Sequence, residues 1–261
     1  MTQTLTHWSE RLATHFSVRR PQTAQRAPVL LMLHGCGGPR RFLNEMAEVA
    51  VANGAAAVTI DSYTPRRISR LAALTTVCTG GRLQGRERAA DLFAAMHWSR
   101  AQSWIDPQRI IAAGWSHGAW TIIDALALRS GAEMMRVTGL SELPCEPLRG
   151  LAGAFLAYPY AGVGSYAGRR DWRLSPSTVA IVCGRDYIVG TKTPRAALER
   201  QRARGAPIEI ALFPDATHAF EDPLAADPRV RFDPDATARE HALLRDLITA
   251  ISAPAPNQPA H

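Results

Sequence analysis

Six short apolar runs, alternating with five segments of helical character, constrain this chain more than any other feature of its sequence. The runs are 28–34 (PVLLMLH), 55–61 (AAAVTID), 109–115 (RIIAAGW), 151–158 (LAGAFLAY), 179–184 (VAIVCG) and 208–213 (IEIALF). A strand covered on one face alternates apolar and polar residues. A nearly continuous apolar run suits a strand covered on both faces, as in a parallel sheet. Helical patterns fall between them at 40–53, 85–103, 117–128, 194–204 and 237–252. The first ends at Gly54, a residue suited to the turn after a helix, and the second sets Ala89, Leu92, Phe93, Ala95 and Met96 along one apolar side. The fourth is expected to have Thr193 as its cap, Pro194 at its first position and Gly205 after its end. This alternation predicts an α/β fold, a mostly parallel central sheet with helices on both faces, with ligands meeting it at the carboxyl ends of the strands.

The 261 residues suffice for one α/β domain, and 1–252 is read as that domain. The tail 253–261 holds three prolines and no apolar periodicity, so it is expected to be disordered. Segments 129–149 and 159–178 fit the alternation less well. The second, with Gly162, Gly164, Gly168, Arg169, Arg170 and Trp172, reads equally as part of a substrate-facing cap or as an ordinary excursion.

Composition excludes several classes. There is no run of 18 apolar residues, which argues against a membrane span. The amino terminus has no apolar stretch after a basic start, so a cytoplasmic protein is expected. The net charge of +7 comes from arginine scattered along the chain, with Lys192 the single lysine, and no nucleic-acid partner is expected from such a pattern. Four cysteines without a CxxC pair make neither a disulfide scaffold nor a zinc site. No metal or organic cofactor is expected.

The most specific motif is Gly114-Trp115-Ser116-His117-Gly118, a G-x-S-x-G sequence between a predicted strand and a predicted helix. That context is the one an α/β-hydrolase nucleophile elbow requires. The serine projects from a tight turn, the glycines admit neighbouring backbone, and the helix amino terminus offers N–H groups to a developing oxyanion. A second glycine-rich stretch, His34-Gly35-Cys36-Gly37-Gly38, ends the first strand. The amides of Cys36 and His117 are the candidate oxyanion donors.

A serine hydroxyl needs a base, and in this fold the order along the chain is Ser, acid, His. Beyond His117 only His218, His241 and His261 remain. His241 falls inside the last helix and His261 ends the chain, whereas His218 follows the last strand, where a base reaches Ser116. Asp186 ends the run 179–184 and is the candidate orienting acid. Asp215 and Asp222 are alternatives, although they stand close to His218 in sequence. Asp61 also ends a strand, but it precedes the elbow and reads better as a turn carboxylate.

Together, "LLMLHGCGG", "VTIDSYTPR", "GWSHGA", "CGRD" and "THAF" resemble the dienelactone hydrolase family, in a branch with a serine nucleophile. The likeness runs from about Pro28 to Phe220, and the 32 positions between Asp186 and His218 are close to the family's gap. It implies the same oxyanion donors. Two departures stand out. The family proper carries a cysteine nucleophile, and four residues beyond its histidine it carries an arginine for the substrate carboxylate, where this chain has Asp222. Arg67, Arg82, Arg86 and Arg88 are candidates to replace that charge, but each reads better as solvated surface. Cys36 and Cys78 are expected to be two free residues near the pocket rather than a disulfide. Cys145 and Cys183 read as packing residues. Tyr63, Trp115, Tyr158, Tyr160, Tyr187 and Phe220 lie near strand ends and suggest a partly aromatic pocket. The expected activity is hydrolysis of small carboxylic esters, short acyl esters or lactones, through an acyl-enzyme on Ser116, by a monomer or homodimer. A peptidase or amidase of the same fold, and a ligand-binding homologue without turnover, remain open.

Overall fold

In the computed structural model, which describes residues 3–23, 25–129 and 131–253, the six apolar runs lie in one sheet. In chain order the elements are β1 (Gln3–Thr4), α1 (Leu5–Ala13), β2 (Phe16–Arg19), β3 (Ala27–Leu33), α2 (Phe42–Ala52), β4 (Ala56–Ile60), α3 (Arg70–Ala72), α4 (Gly85–Arg100), β5 (Ile105–Trp115), α5 (His117–Ala127), α6 (Gly131–Thr138), β6 (Leu140–Ser141), β7 (Leu151–Ala157), β8 (Ser177–Cys183), α7 (Lys192–Ala203), β9 (Ile208–Phe213) and α8 (Pro234–Ser252). The main sheet has seven strands in the order β2-β4-β3-β5-β7-β8-β9. All its pairings are parallel except that of β2 with β4. A separate pair joins β1 to β6.

Strand alternation sorts the core into two layers. Val29, Leu31 and Leu33 of β3 belong to one layer with Leu5 and Trp8 of α1, Phe93 of α4, Ile122 of α5 and Leu198 of α7. Leu30 and Met32 pack on the other face with Phe42 and Met46 of α2 and Leu244 and Ile248 of α8. Every residue of β3 is buried, which is why its sequence shows no polar alternation. Burying each such leucine stabilises the fold by roughly 1.5–3 kcal/mol.

Several elements depart from the sequence expectation. Neither α1 nor β2 is foreseen, although Leu5, Trp8 and Leu12 stand at helical spacing and are all buried. The indole of Trp8 in α1 donates to Asp91 at 3.0 Å, and the Ser9 hydroxyl donates to the Ala94 carbonyl at 2.9 Å. With α1 on one side and α5 on another, α4 is buried well beyond a single apolar face. Helix α7 starts at Lys192, so Pro194 is its third residue. A first-turn N–H has no intrahelical acceptor, so proline is tolerated there. Thr193 is therefore not the cap, and the Thr191 hydroxyl donates to Cys183 rather than capping. Segment 129–149 contains α6 and β6. The expected tail, apart from Ala253, lies outside the described residues. No helix among the described residues is long and apolar enough to cross a membrane.

The stretch from β7 to β8 has no regular structure, yet it is held firmly. Asp124, buried on α5, accepts from the Ser165 hydroxyl at 2.8 Å and from the amides of Tyr166 and Ala167 at 2.8 and 3.0 Å. Its second oxygen accepts from the Trp120 indole at 2.8 Å. Burial raises the Asp124 pKa to about 6 against these four donated bonds. Asp124→Asn replaces an acceptor by a donor facing other donors. It is expected to lower unfolding free energy by about 2–3 kcal/mol, read from denaturant melts.

Candidate active site

Ser116 stands between β5 and α5 with φ 53° and ψ −111°, a backbone conformation that non-glycine residues rarely adopt. The neighbouring glycines are dictated by contact. A Cβ on Gly118 would lie 1.9 Å from the Leu33 carbonyl oxygen, and one on Gly114 would lie 2.4 Å from the Gly118 carbonyl carbon. The first turn of α5 thus rests directly on the end of β3. The Ser116 amide donates to the Ala157 carbonyl at 2.9 Å, anchoring the turn to β7 as well.

The structure brings Ser116, His218 and Asp186 together. His218 Nε2 is 2.8 Å from Ser116 Oγ, and His218 Nδ1 is 2.7 Å from Asp186 Oδ2. His218 and Asp186 are both buried. The other Asp186 oxygen accepts from the amides of Ile188 and Val189, each at 2.9 Å. Burial alone would raise the Asp186 pKa. The hydrogen bond and charge of His218 and the two amides more than offset it, so the carboxyl sits below its ordinary range. The two alternative acids are engaged elsewhere: Asp215 with Arg185 at 2.7 Å, and Asp222 with Arg40 at 2.7 Å. Asp61 accepts from the amides of Tyr63 and Thr64, the turn role expected for it.

Cys36 and His117 flank Ser116 from two segments. Gly35 lies against the serine, and a Cβ on it would be 3.5 Å from Ser116 Cβ. Neither the Cys36 amide nor the His117 amide donates to an acceptor among the described residues. Both are free to meet a substrate oxygen.

Comparisons with known proteins follow the same lines. Thermogutta terrifontis esterase 2, phosphonylated by cyclosarin, superposes with a TM-score of 0.68 at 18% identity, over 93% of this chain and 90% of its own. The propionate-bound form of that esterase gives 0.65 at 18% identity, over 93% and 91%. A candidate dienelactone hydrolase from Klebsiella pneumoniae gives 0.66 at 16% identity, over 89% and 91%. This is the α/β-hydrolase fold. The family model for the prolyl oligopeptidase family matches residues 79–132, from the Cys78 loop through the elbow and past α5. A search of curated proteins gave no match.

A cavity of about 340 Å³ opens beside Ser116 in this α/β-hydrolase fold, lined by Val77, Gln84, Trp120, Tyr160, Val163 and Ile188 among others. Its aromatic residues differ from those the sequence suggests, Tyr160 excepted. Trp115 points to the opposite face of β5, where its indole donates to Glu240 at 2.8 Å, and Phe220 is packed in the same layer. Tyr158 is buried behind His218, with ring centroids 4.5 Å apart, and its hydroxyl donates to the buried Glu221. Tyr63 is buried and donates to the Cys36 carbonyl at 3.0 Å. Tyr187 is 69% exposed outside the cavity. Strand alternation and loop direction, which apolar runs do not report, turned these rings away. In segment 159–178, Tyr160, Val163 and Gly164 form one wall of the cavity.

Three further expectations are corrected. Cys36 and Cys78 are bonded to each other, because the helical segments Arg70–Ala72 and Ala73–Val77 fold Cys78 back over the glycine loop. Closing a loop of 42 residues stabilises the fold by about 4 kcal/mol in the chain-entropy account. Cys145 is exposed rather than packed, whereas Cys183 is buried. Arg88 is fully buried, not solvated, while Arg67 and Arg82 are exposed and Arg86 donates to the Gly164 carbonyl at 2.8 Å. The hint for Arg88 is its place beside Ala89, Ala90, Leu92 and Phe93 in the sequence of α4.

Two outcomes are expected. Gly118→Ala forces β3 and α5 apart and lowers stability by roughly 3 kcal/mol or prevents soluble expression, checked by thermal melts. Denatured, unreduced protein shows two reactive thiols, those of Cys145 and Cys183, and four after reduction, counted with a thiol reagent.

Proposed function

We propose that this protein is a carboxylic ester hydrolase that works through an acyl-enzyme on Ser116. The observation that carries the reading is the unbroken line from Ser116 Oγ through His218 to Asp186, with contacts of 2.8 and 2.7 Å. His218 Nε2 accepts the hydroxyl proton as Ser116 attacks the ester carbonyl. Asp186 holds the Nδ1 proton and stabilises the imidazolium. The amides of Cys36 and His117 receive the oxyanion, each contributing roughly 3–4 kcal/mol. His218 then protonates the leaving alcohol, and water releases the acid by the reverse sequence.

The cavity supports a small, uncharged substrate. Its walls are apolar or neutral apart from His117, whose pKa burial and then Arg88 hold well below the usual range. A substrate carboxylate would meet no counter-charge there. Asp222, where the resemblance has its carboxylate-binding arginine, is tied to Arg40. Short acyl esters or lactones fit this chemistry, and the propionate- and butyrate-bound forms of the Thermogutta esterase support the short-chain reading. The match of residues 79–132 to the prolyl oligopeptidase family favours a second reading, cleavage of acyl-amides by the same residues. Matched p-nitrophenyl esters and p-nitroanilides separate the two. The enzyme is read as a monomer or homodimer, with no nucleic-acid partner. The Cys36–Cys78 bond favours an oxidising compartment over the cytoplasm suggested by the amino terminus.

A fluorophosphonate probe is expected to label the wild type at Ser116. Ser116→Ala should fold, take no label and lose at least about 1,000-fold in p-nitrophenyl acetate turnover. Absence of labelling in the wild type supports a ligand-binding protein instead. His218→Asn is expected to lose activity to a similar extent, and near wild-type turnover in that variant would point to another base.

A further inference from the structure

A guanidinium stands behind the glycine loop with no carboxylate in hydrogen-bond contact among the described residues. Arg88, on α4, is 0% exposed. One terminal nitrogen donates to the His34 carbonyl at 2.7 Å and to His117 Nδ1 at 3.0 Å, and its Nε donates to the Ser62 hydroxyl at 2.8 Å. Its other terminal nitrogen has no partner among the described residues. Glu87, the adjacent acid, accepts from the Gln84 amide, and Asp91, one turn on, is occupied by both terminal nitrogens of Arg66, at 2.9 and 2.7 Å, and by the Trp8 indole. Asp61 is turned to Tyr63 and Thr64. The rings beside Arg88 do not neutralise it, since burial first and then Arg88 itself hold His34 and His117 in their neutral forms. A buried charge without a counter-charge is costly.

Its location is specific. His34 leads into Gly35 and Cys36, and His117 follows Ser116, so the two groups that Arg88 grips belong to the two segments carrying the free amides. Those segments come from opposite ends of the chain's first half, and the β3–β5 pairing and the Gly118–Leu33 contact set their backbones side by side. A single terminal nitrogen of Arg88 bridges them, while its Nε is held by Ser62.

We propose that Arg88 is a positioning residue of the oxyanion site: it locks the Cys36 and His117 amides in one relative orientation and supplies the positive charge that the tetrahedral oxyanion answers. The proposal rests on Ser116 being the nucleophile. An ester in its ground state is neutral, so an interaction with the oxyanion alone acts on the chemical step and leaves substrate binding unchanged.

The test measures p-nitrophenyl acetate hydrolysis, fluorophosphonate labelling and inhibition by phenylboronic acid, whose serine adduct is tetrahedral and anionic. In Arg88→Met, kcat is expected to fall by roughly 30-fold with KM within about twofold, and boronate affinity is expected to fall by a similar factor. Arg88→Lys, which keeps the charge but loses the separate Nε contact to Ser62, is expected to lie between the wild type and Arg88→Met. If Arg88→Met does not fold, Arg88→Gln serves with the same expectation, since it keeps a donor and removes the charge. A folded Met or Gln variant with kcat and boronate affinity within about twofold of an active wild type overturns the role of Arg88. A loss of thermal stability with unchanged kcat, or a rise in KM alone, overturns it equally. A wild type that neither turns over ester nor takes the label removes the underlying hydrolase reading, and the proposal with it.

Discussion

The contact between Gly118 and the Leu33 carbonyl oxygen is the constraint on which the site depends. A methyl group at Gly118 would stand 1.9 Å from that oxygen, so α5 begins against β3 only because no side chain intervenes. This closeness forces the serine into its positive-φ turn and sets its hydroxyl at the sheet edge. It also brings the glycine loop after β3 alongside the amino terminus of α5, so that two amides from distant segments share one small space. The remaining groups arrive by loops after β8 and β9, whose parallel pairing puts Asp186 and His218 at the same edge.

Burial then decides the charge of each group. Asp186 stays ionised because His218 and two amides outweigh its desolvation, whereas His34 and His117 lose their protons to burial and to the guanidinium beside them. Behind His218, burial raises Glu221 to about 7 and holds Glu240 well above the ordinary carboxyl range. The face towards the cavity therefore carries little charge, and the cation of Arg88 lies one residue behind it. The disulfide from Cys36 to Cys78 braces the same loop from the solvent side.

The sequence made the sheet legible because a strand buried on both faces leaves a continuous apolar run. It made Ser116, His218 and Asp186 legible because each follows such a run, and parallel strands deliver their carboxyl ends to one edge. The same reasoning missed α1, whose buried apolar residues Leu5, Trp8 and Leu12 are spaced by a helix too short to stand out. It placed Trp115 and Phe220 in the pocket because it tracks position along a strand and not the face to which a side chain turns.

The sequence by itself determined the layered α/β architecture, the elbow at Ser116 and the order of the hydrogen-bonding partners, since these depend on local periodicity, on glycine and on chain order. Tertiary structure alone decided that Cys36 meets Cys78, that Trp120 and Tyr160 face the cavity, and that Arg88 is buried between His34 and His117. Each of these depends on how segments far apart in the chain pack against one another. A residue's type and its near neighbours do not encode that packing, because arginine on a helix is equally compatible with water and with a buried set of hydrogen-bond acceptors.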